Sequence, residues 1–301
     1  MTRHFAHGIE HARIVNAERD DVIHEMLAQR PRQRRVVVRR ARASAAAHRG
    51  PMSPRRPAPD RPGAQEWLPR DAADVDALAR AAHACRGCEL WADATQVVFS
   101  RGPQDAPLVL VGEQPGDHED REGEPFVGPA GRLLDDALDA AGLPAEGVYL
   151  TNAVKHFRFE ERGARRLHKT PDVAHVRACL PWLAAEVAAV APRVVVALGA
   201  TAGRAVLGRP VRVTAERGRV LDLDDAEAAS PFAGGAPDDG TSSGASDDGR
   251  PPRSVHAPRV VLTTHPSALL RVRDRGERGA AFAALVDDLR LAGDAAAARG
   301  T

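Results

Sequence analysis

The chain has 301 residues, 43% of them hydrophobic, with 42 basic and 41 acidic side chains. That length suits one large domain or two small ones. It has no run near the ~20 apolar residues of a membrane span and no apolar core of a secretory signal near its amino terminus, so we expect a cytoplasmic protein that does not enter membranes. Its three cysteines are too few for a disulfide framework, which favours metal binding for any clustered pair.

Basic residues are concentrated at the front of the chain. Residues 1–60 contain 13 arginines and six acidic residues, which predicts a basic, disordered arm over 1–64. A second stretch, at about 224–257, is dominated by Gly, Ser, Asp and Pro and predicts a disordered insertion. We therefore expect one folded domain over 65–293, followed by a tail at 294–301, and assign no role to the arm or the insertion.

Helical spacing of apolar residues alternates with short apolar runs along this domain. Strands that alternate with helices indicate an α/β domain, here a three-layer α/β/α fold around a mainly parallel central sheet. The predicted helices lie at 71–84, about 130–141, 172–190, 199–207 and about 277–292. The predicted strands lie at 108–111, 148–152, 194–198 and 260–263.

Four polar segments each follow a predicted strand. Because the carboxyl ends of parallel strands meet at one edge of a sheet, these segments are expected to converge on a single site, with Glu113, Gln114 and Asp117 facing the crevice. The first segment lacks the GxGxxG pattern of a dinucleotide site, and no GK[ST] of a P-loop follows it. The segments are GEQPGD at 112–117, NAVKH at 152–156, GAT at 199–201 and HPS at 265–267.

An aromatic side chain lies just past the first of these segments. Phe126 stands among glycines and prolines in the stretch GEPFVGPAG, a setting that suits stacking on a planar base beside a polar pocket. The alternative is a core phenylalanine that fills a turn.

The cysteines form one close pair and one distant member. Cys85 and Cys88 make a CxxC that suits a redox dithiol, half a zinc site or half an iron–sulfur site. The redox alternative expects the pair between a strand and a helix, whereas here it follows a predicted helix. Cys179 is either a third ligand or a buried core cysteine, and His156 is a candidate for the fourth position.

The stretch 157–171, FRFEERGARRLHKTP, is strongly basic. His168 stands within it without apolar periodicity, and the nearby positive charge is expected to lower its pKa and leave a neutral imidazole that acts as nucleophile or base. The alternative is an exposed loop histidine. The cations of this stretch suit contacts with phosphates, and they are Arg158, Arg162, Arg165, Arg166 and Lys169.

Taken together, these segments resemble UdgX, a branch close to the family-four iron–sulfur uracil-DNA glycosylases. The resemblance covers about 65–223 and 258–292, and the Arg-rich loop that ends in histidine separates this branch from ordinary family-four enzymes. The segments that carry it stand in the family's order: GEQPGDHED, EPFVGPAGRLLD, TNAVKHF, RRLHKTP, LGATA and HPSALLR.

The resemblance implies a uracil-DNA glycosylase-like fold and a DNA repair activity that excises uracil, with single strands preferred. The uridine would flip out of the stack into a pocket. There Phe126 would stack on uracil, Asn152 would read its polar edge, and His265 would donate a hydrogen bond to a uracil oxygen as negative charge builds on the leaving base.

The resemblance also implies an unusual fate for the sugar. Glu113, Gln114 and Asp117 would line C1′, while His168 would attack C1′ and stay bonded to it, so that a single-turnover enzyme ends as a DNA–protein crosslink. The alternatives are a glycosylase that hydrolyses with turnover and a non-catalytic uracil-DNA binding module. The residues expected to contact the DNA are Arg165, Arg166, Lys169 and Ser267.

A metal cluster is implied in the same way. Family-four relatives hold a 4Fe–4S cluster with four cysteines, one of them in a TNxVKC segment, and this chain has His156 at that position. The ligand set becomes Cys85, Cys88, His156 and Cys179, with a structural role for the cluster and a reduction potential raised by the histidine. Zinc in the same set is the alternative. The expected partner is uracil-containing DNA, bound by a monomer that associates with the nucleoid when it is on DNA.

Overall fold

The computed structural model describes residues 61–70, 72–223, 230–232 and 257–298. The arm up to residue 60, nearly all of the insertion expected at 224–257 and the end of the expected tail lie outside the described residues.

The described fold begins earlier than composition suggested. Residues 61–64, which fall in the expected arm, pack against the domain: the Arg61 guanidinium pairs with the carboxylates of Glu89 at 2.5 Å and Asp172 at 3.0 Å. Ala64 is buried, and its backbone N–H donates to the carbonyl of Ala178. These four residues therefore belong to the folded unit.

Eight strands are described, and six of them form one sheet in the order β1-β3-β2-β6-β8-β7. The four central strands of this sheet, β3, β2, β6 and β8, run parallel to one another. The edge strands β1 and β7 are antiparallel to their neighbours. The predicted mainly parallel sheet is confirmed. The strands are β1 (Ser100–Arg101), β2 (Leu108–Gly112), β3 (Tyr149–Asn152), β4 (Phe159–Arg162), β5 (Arg165–His168), β6 (Val194–Leu198), β7 (Val220–Leu221) and β8 (Arg259–Thr263).

Helices cover both faces of the sheet. Alternate residues of β2 face opposite layers. Val109 and Val111 pack with the helices at 75–82, 173–190 and 199–207, whereas Leu108 and Leu110 pack with those at 129–141 and 275–297. Because both faces are buried, the strands are apolar throughout rather than alternating, and the predicted three layers are confirmed. The helices are α1 (Val75–Ala82), α2 (Asp117–Glu122), α3 (Pro129–Ala141), α4 (Val173–Val190), α5 (Gly199–Leu207), α6 (Val213–Glu216), α7 (Pro266–Leu269) and α8 (Arg275–Ala297).

The helix α4 is long and apolar enough, with a mean hydropathy of 1.3 over 18 residues, to cross a membrane by length and composition alone. Within the fold, 56% of it is buried. It also carries the carboxylate of Glu186, which is fully buried and pairs with Lys155. These contacts make α4 a core helix of the domain.

A β-hairpin stands where the sequence predicted a basic loop. The strands β4 and β5 pair antiparallel, with Phe159 opposite His168 and Arg162 opposite Arg165. Gly163 makes the turn with a φ of 61°, a conformation that glycine adopts without cost. His168 is therefore the last residue of a strand, held by a ladder of backbone hydrogen bonds rather than carried on an irregular loop.

Candidate functional site

Three predicted side chains meet at the carboxyl end of β2. A Cβ atom on Gly112, the last residue of that strand, would lie 2.3 Å from Asn152 Oδ1 and 2.7 Å from the tip of the Phe126 ring. Any larger residue would push the amide and the ring apart. Asn152 is buried at the end of β3, and its amide oxygen lies beside the space that a side chain on Gly112 would fill.

Phe126 is held in an unusual backbone conformation. Its φ is 61°, in the left-handed region that costs a non-glycine residue on the order of 1 kcal/mol or more. Gly131 in α3 makes this possible, because a Cβ there would stand 1.7 Å from the Phe126 carbonyl oxygen. Strain of this kind concentrates at functional sites. The ring packs with the core around Leu134, and its tip reaches the space beside Gly112 and Asn152.

His265 lies next to Phe126, its ring 6.3 Å from that of Phe126 and inclined to it by 26°. Its Nδ1 accepts a hydrogen bond from the backbone N–H of Ser267 at 3.1 Å, which places the ring proton on Nε2 in the neutral form. Burial lowers the pKa of His265 to about 4. At neutral pH the residue is therefore an uncharged donor with a fixed tautomer.

Glu113 and His168 approach each other at the same edge. Glu113 Oε1 lies 3.4 Å from His168 Nε2. The other carboxylate oxygen, Oε2, accepts a hydrogen bond at 2.5 Å from the hydroxyl of Thr201, in the first turn of α5. The His168 ring also rests near Phe157, with 6.1 Å between ring centres. The carboxylate is thus aimed at the imidazole by a third residue.

The pKa of His168 is lowered, as the sequence predicted, but for a different reason. Burial of part of the ring is the main cause, the charge of Arg271 adds to it, and Glu113 opposes it. The cations of the hairpin are not among the causes. Because its pKa is lowered, the imidazole is neutral at pH 7. Because 47% of the side chain is exposed, a ligand can still reach it.

Gln114 has a different place from the one expected. Its amide nitrogen donates to the carbonyls of Arg158 and Lys169, and its oxygen accepts from the backbone N–H of Arg158. These contacts tie together the two residues that flank the hairpin. Gln114 therefore fastens the hairpin to the loop after β2 and leaves Glu113 as the member of the pair that faces the site.

Arg166 is also used inside the protein. Its guanidinium donates to Asp117 Oδ1 and to the buried Asp120 Oδ2, each at 2.6 Å, and it lies over the rings of Phe157 and Phe159. Although burial alone would raise the pKa of Asp117, hydrogen bonds from Arg121 and Arg166 hold it below its ordinary value. Instead of facing phosphate and sugar, Arg166 and Asp117 join the hairpin to α2.

Of the three remaining residues predicted to contact DNA, two are exposed and one contacts His265. Arg165 begins β5 and Lys169 directly follows it. Both side chains are exposed, so phosphates can reach them. Ser267 lies beside His265, and its hydroxyl is 2.9 Å from His265 Nδ1. Its observed role is to orient that imidazole.

The four predicted metal ligands surround one cavity. Its lining includes Cys85, Cys88, His156 and Cys179. All four are buried, and the cysteines are free thiols. The indole N–H of Trp182 donates to Cys85 Sγ, and the backbone N–H of Lys155 donates to Cys179 Sγ, both at 3.3 Å.

The four donors lie around a space rather than close to one point. Among the described residues, no group of three or more His, Cys, Asp or Glu side chains is close enough to hold one metal ion. A cubane cluster gives each ligand its own iron, so its ligands stand around a cavity, and N–H donors to sulfur are usual there. Burial raises the pKa of Cys179 to about 12 and lowers that of His156 to about 4, so at neutral pH the Cys179 thiol keeps its proton and the imidazole is uncharged.

The segment between base pocket and cavity is short and firmly held. Asn152 and His156 lie four residues apart, and between them Lys155 points into the core, where it pairs with Glu186 and donates to Thr151 Oγ1. Tyr149 and Thr151 donate to the same carboxylate. This fully buried network fixes the direction in which Asn152 and His156 leave the sheet.

Comparison with known proteins identifies the family. A family model described as the uracil DNA glycosylase superfamily matches residues 99–290. The chain belongs to this superfamily. A type-4 uracil-DNA glycosylase of Thermotoga maritima is 40% identical over 139 residues, which are 46% of this chain and 69% of the relative. Type-4 enzymes of Archaeoglobus fulgidus and Sulfurisphaera tokodaii are 39% and 36% identical over 42% and 38% of this chain, and over 59% and 50% of their own lengths.

The superfamily match includes most of the site, but several of its residues escaped the sequence analysis. Glu119 accepts hydrogen bonds from the backbone N–H groups of Gly116 and Gly128, and so joins the loop of Glu113 to the turn after Phe126. Asp120 escaped as well, and Thr201 was expected at the site only as part of the segment GAT, without a role of its own. The stretches GEQPGDHED and LGATA contain all three, yet only tertiary contacts distinguish them from solvated polar residues.

Proposed function

We propose that this chain excises uracil from DNA and stays covalently bonded, through His168, to C1′ of the abasic sugar. The observation that carries the proposal is a neutral, half-exposed imidazole 3.4 Å from the Glu113 carboxylate, at the sheet edge that also holds Phe126, Asn152 and His265. The names of the type-4 relatives support uracil in DNA as the substrate. The histidine-ended hairpin supports capture over hydrolysis.

The pocket supplies what base excision needs. The ring of Phe126 offers a stacking surface for uracil, and the amide of Asn152 offers a donor and an acceptor to its polar edge. His265, with its proton on Nε2, donates to a uracil oxygen where negative charge develops. Glu113 supplies negative charge near the sugar, where positive charge develops at C1′.

The bonds then change as follows. The bond from C1′ to N1 of uracil breaks, and its electron pair leaves with uracil as the anion. The lone pair of a nitrogen of neutral His168 forms the new bond to C1′. The resulting imidazolium, which faces Glu113, loses its remaining ring proton, and the uracil anion takes up a proton from solvent. A water molecule at the same place would give the turnover alternative.

A denaturing gel tests the proposal directly. The full chain is mixed with a short single-stranded oligonucleotide that contains one uracil, then boiled in detergent. We expect a band at the combined size of protein and DNA, absent with thymine in place of uracil. Free DNA that breaks in alkali would indicate a glycosylase with turnover, and intact uracil would indicate a binding module. A duplex with the same uracil tests the preference for single strands.

Two adjacent arginines separate hairpin anchoring from DNA contact. Arg166→Gln removes the contacts to Asp117 and Asp120 and should slow adduct formation on the order of a hundredfold at saturating DNA, since misplacing a reacting group costs about that much. Arg165→Gln removes the same charge from an exposed position. It should weaken DNA binding and reduce its salt dependence, with little change in the rate at saturation. Single-turnover kinetics at several salt concentrations measure both. Equal rates for the two variants would contradict the anchoring role of Arg166.

A 4Fe–4S cluster held by Cys85, Cys88, His156 and Cys179 belongs to the proposal. When bound, it would join the CxxC turn, the segment after β3 and the middle of α4, a structural role. The fit rests on four buried donors around one cavity and two N–H groups directed at sulfur. We further expect a monomer in the cytoplasm that moves to the nucleoid with its DNA.

The histidine ligand makes a testable difference. His156→Cys should keep the iron and lower the reduction potential, because a thiolate gives the cluster more negative charge than an imidazole does. Iron analysis and a redox titration followed by visible absorbance measure the two effects. His118→Ala, an exposed histidine in α2 that does not line the cavity, serves as control and should change neither. An unchanged potential in the cysteine variant would show that His156 does not bind the cluster.

A further inference from the structure

We propose that Thr201 is a positioning residue for the site: its hydroxyl holds one oxygen of Glu113 so that the other oxygen faces His168. The inference rests on the proposed function for its kinetic consequence and on geometry for its cause. It gives a role to the segment LGATA, which follows β6 and which base recognition does not explain.

The two oxygens of the Glu113 carboxylate contact different partners. Oε2 accepts from Thr201 Oγ1 at 2.5 Å, and Oε1 lies 3.4 Å from His168 Nε2. A glutamate side chain has three rotatable bonds, so a single contact with an imidazole does not fix it. The second contact, on the other oxygen, selects the rotamer in which the carboxylate plane points at His168.

Thr201 is itself fixed by the backbone around it. It stands in the first turn of α5, directly after β6, the strand next to β2. Gly199 precedes it with a φ of 88°, and a Cβ there would lie 3.1 Å from the Cβ of His265. The same turn therefore lies against His265 and carries the hydroxyl that binds Glu113. It holds both the residue that faces the base and the residue that faces the sugar.

Removing the hydroxyl while keeping the shape isolates this contact. Thr201→Val is nearly isosteric and leaves Glu113 Oε2 without its donor, whereas Thr201→Ser restores the donor. We expect the valine variant to form the adduct on the order of ten times more slowly at saturating DNA, with unchanged affinity for a thymine oligonucleotide. The serine variant should stay within about twofold of the wild type. Thr214→Val, the same change at an exposed site in α6, is the matched control.

A second measurement needs no DNA. The groups that act on the pKa of His168 are Glu113, which raises it, and Arg271, which lowers it together with burial; His265 faces it across the site. If Thr201 aims Glu113, then Thr201→Val should lower the pKa of His168 in an NMR titration, and Thr201→Ser should not. This readout responds to the direction of the carboxylate, which a change in overall stability would not imitate.

The outcomes separate this inference from the proposed function. A valine variant with wild-type adduct rate, or with an unchanged His168 titration, would overturn the role of Thr201. A serine variant as slow as the valine variant would overturn it too, because the hydroxyl would then not be the cause. A wild-type chain that neither releases uracil nor forms an adduct would contradict the proposed function, while the titration would still decide whether Thr201 aims Glu113.

Discussion

Replacing His168 by serine should abolish the covalent product and leave uracil release within about tenfold of the wild type. Excision depends on the pocket of Phe126, Asn152 and His265, none of which loses a contact in His168→Ser, whereas capture needs the lone pair of the imidazole. The product should be an abasic strand that breaks in alkali and that the protein leaves. A uracil-release assay and a denaturing gel on the same reaction measure the two steps separately.

The pH dependence of capture provides a second test of this histidine. Because the folded structure lowers the pKa of His168, the lone pair should persist below the ordinary titration range of histidine near pH 6.5. Crosslinking should therefore be constant from pH 8 to below that range and fall only at more acidic pH. A crosslink that survives in His168→Ser, or one that decreases above pH 7, would contradict His168 as the nucleophile.

Replacing His265 by alanine should lower the rate of uracil excision about a hundred- to a thousandfold, the usual cost of removing one donor from developing negative charge. The effect should appear in the single-turnover rate and not in the affinity for DNA, because the donor matters most as uracil leaves. Since burial lowers its pKa to about 4, His265 is neutral at the pH of the assay, so lost charge does not account for the decrease.

Two controls make the His265 result specific. Ser267→Ala removes one of the contacts to Nδ1 and keeps the donor, so we expect a loss of less than about tenfold. His83→Ala, an exposed histidine remote from the pocket, should have no effect. A His265→Ala chain that excises uracil at the wild-type rate would show that the base leaves without this hydrogen bond, and another donor would have to be sought.

The sequence predicted the parallel sheet well because its strands are buried on both faces. The run 194–198 contains only Val, Ala and Leu and matches β6 to the residue. The hairpin was missed because β4 and β5 have no apolar face to reveal their period. Arg166 attaches the hairpin instead, through two carboxylates 46 and 49 positions away in the chain, and no local pattern contains such a pair.

The candidate site likewise contains residues that the sequence could place and residues that it could not. Residues that end or follow a strand of the central sheet, such as Asn152 and His265, could be placed at its edge from the order of the elements alone. Residues that aim or fasten others could not. Gln114 and Glu113 are neighbours of similar size in one loop, yet one fastens the hairpin and the other faces the imidazole, and only the positions of Arg158 and Thr201 in space decide which does which.

The attachment of residues 61–64 bears on the order of events as the chain is made. Arg61 leaves the ribosome before either of its partners, Glu89 and Asp172, which follow it by 28 and 111 residues. Cys179, which lines the cavity beside this segment, emerges later still. During synthesis the pairing of Arg61 with Asp172 therefore waits until the start of α4 emerges, so residues 61–64 leave the ribosome first but complete their contacts with the domain late.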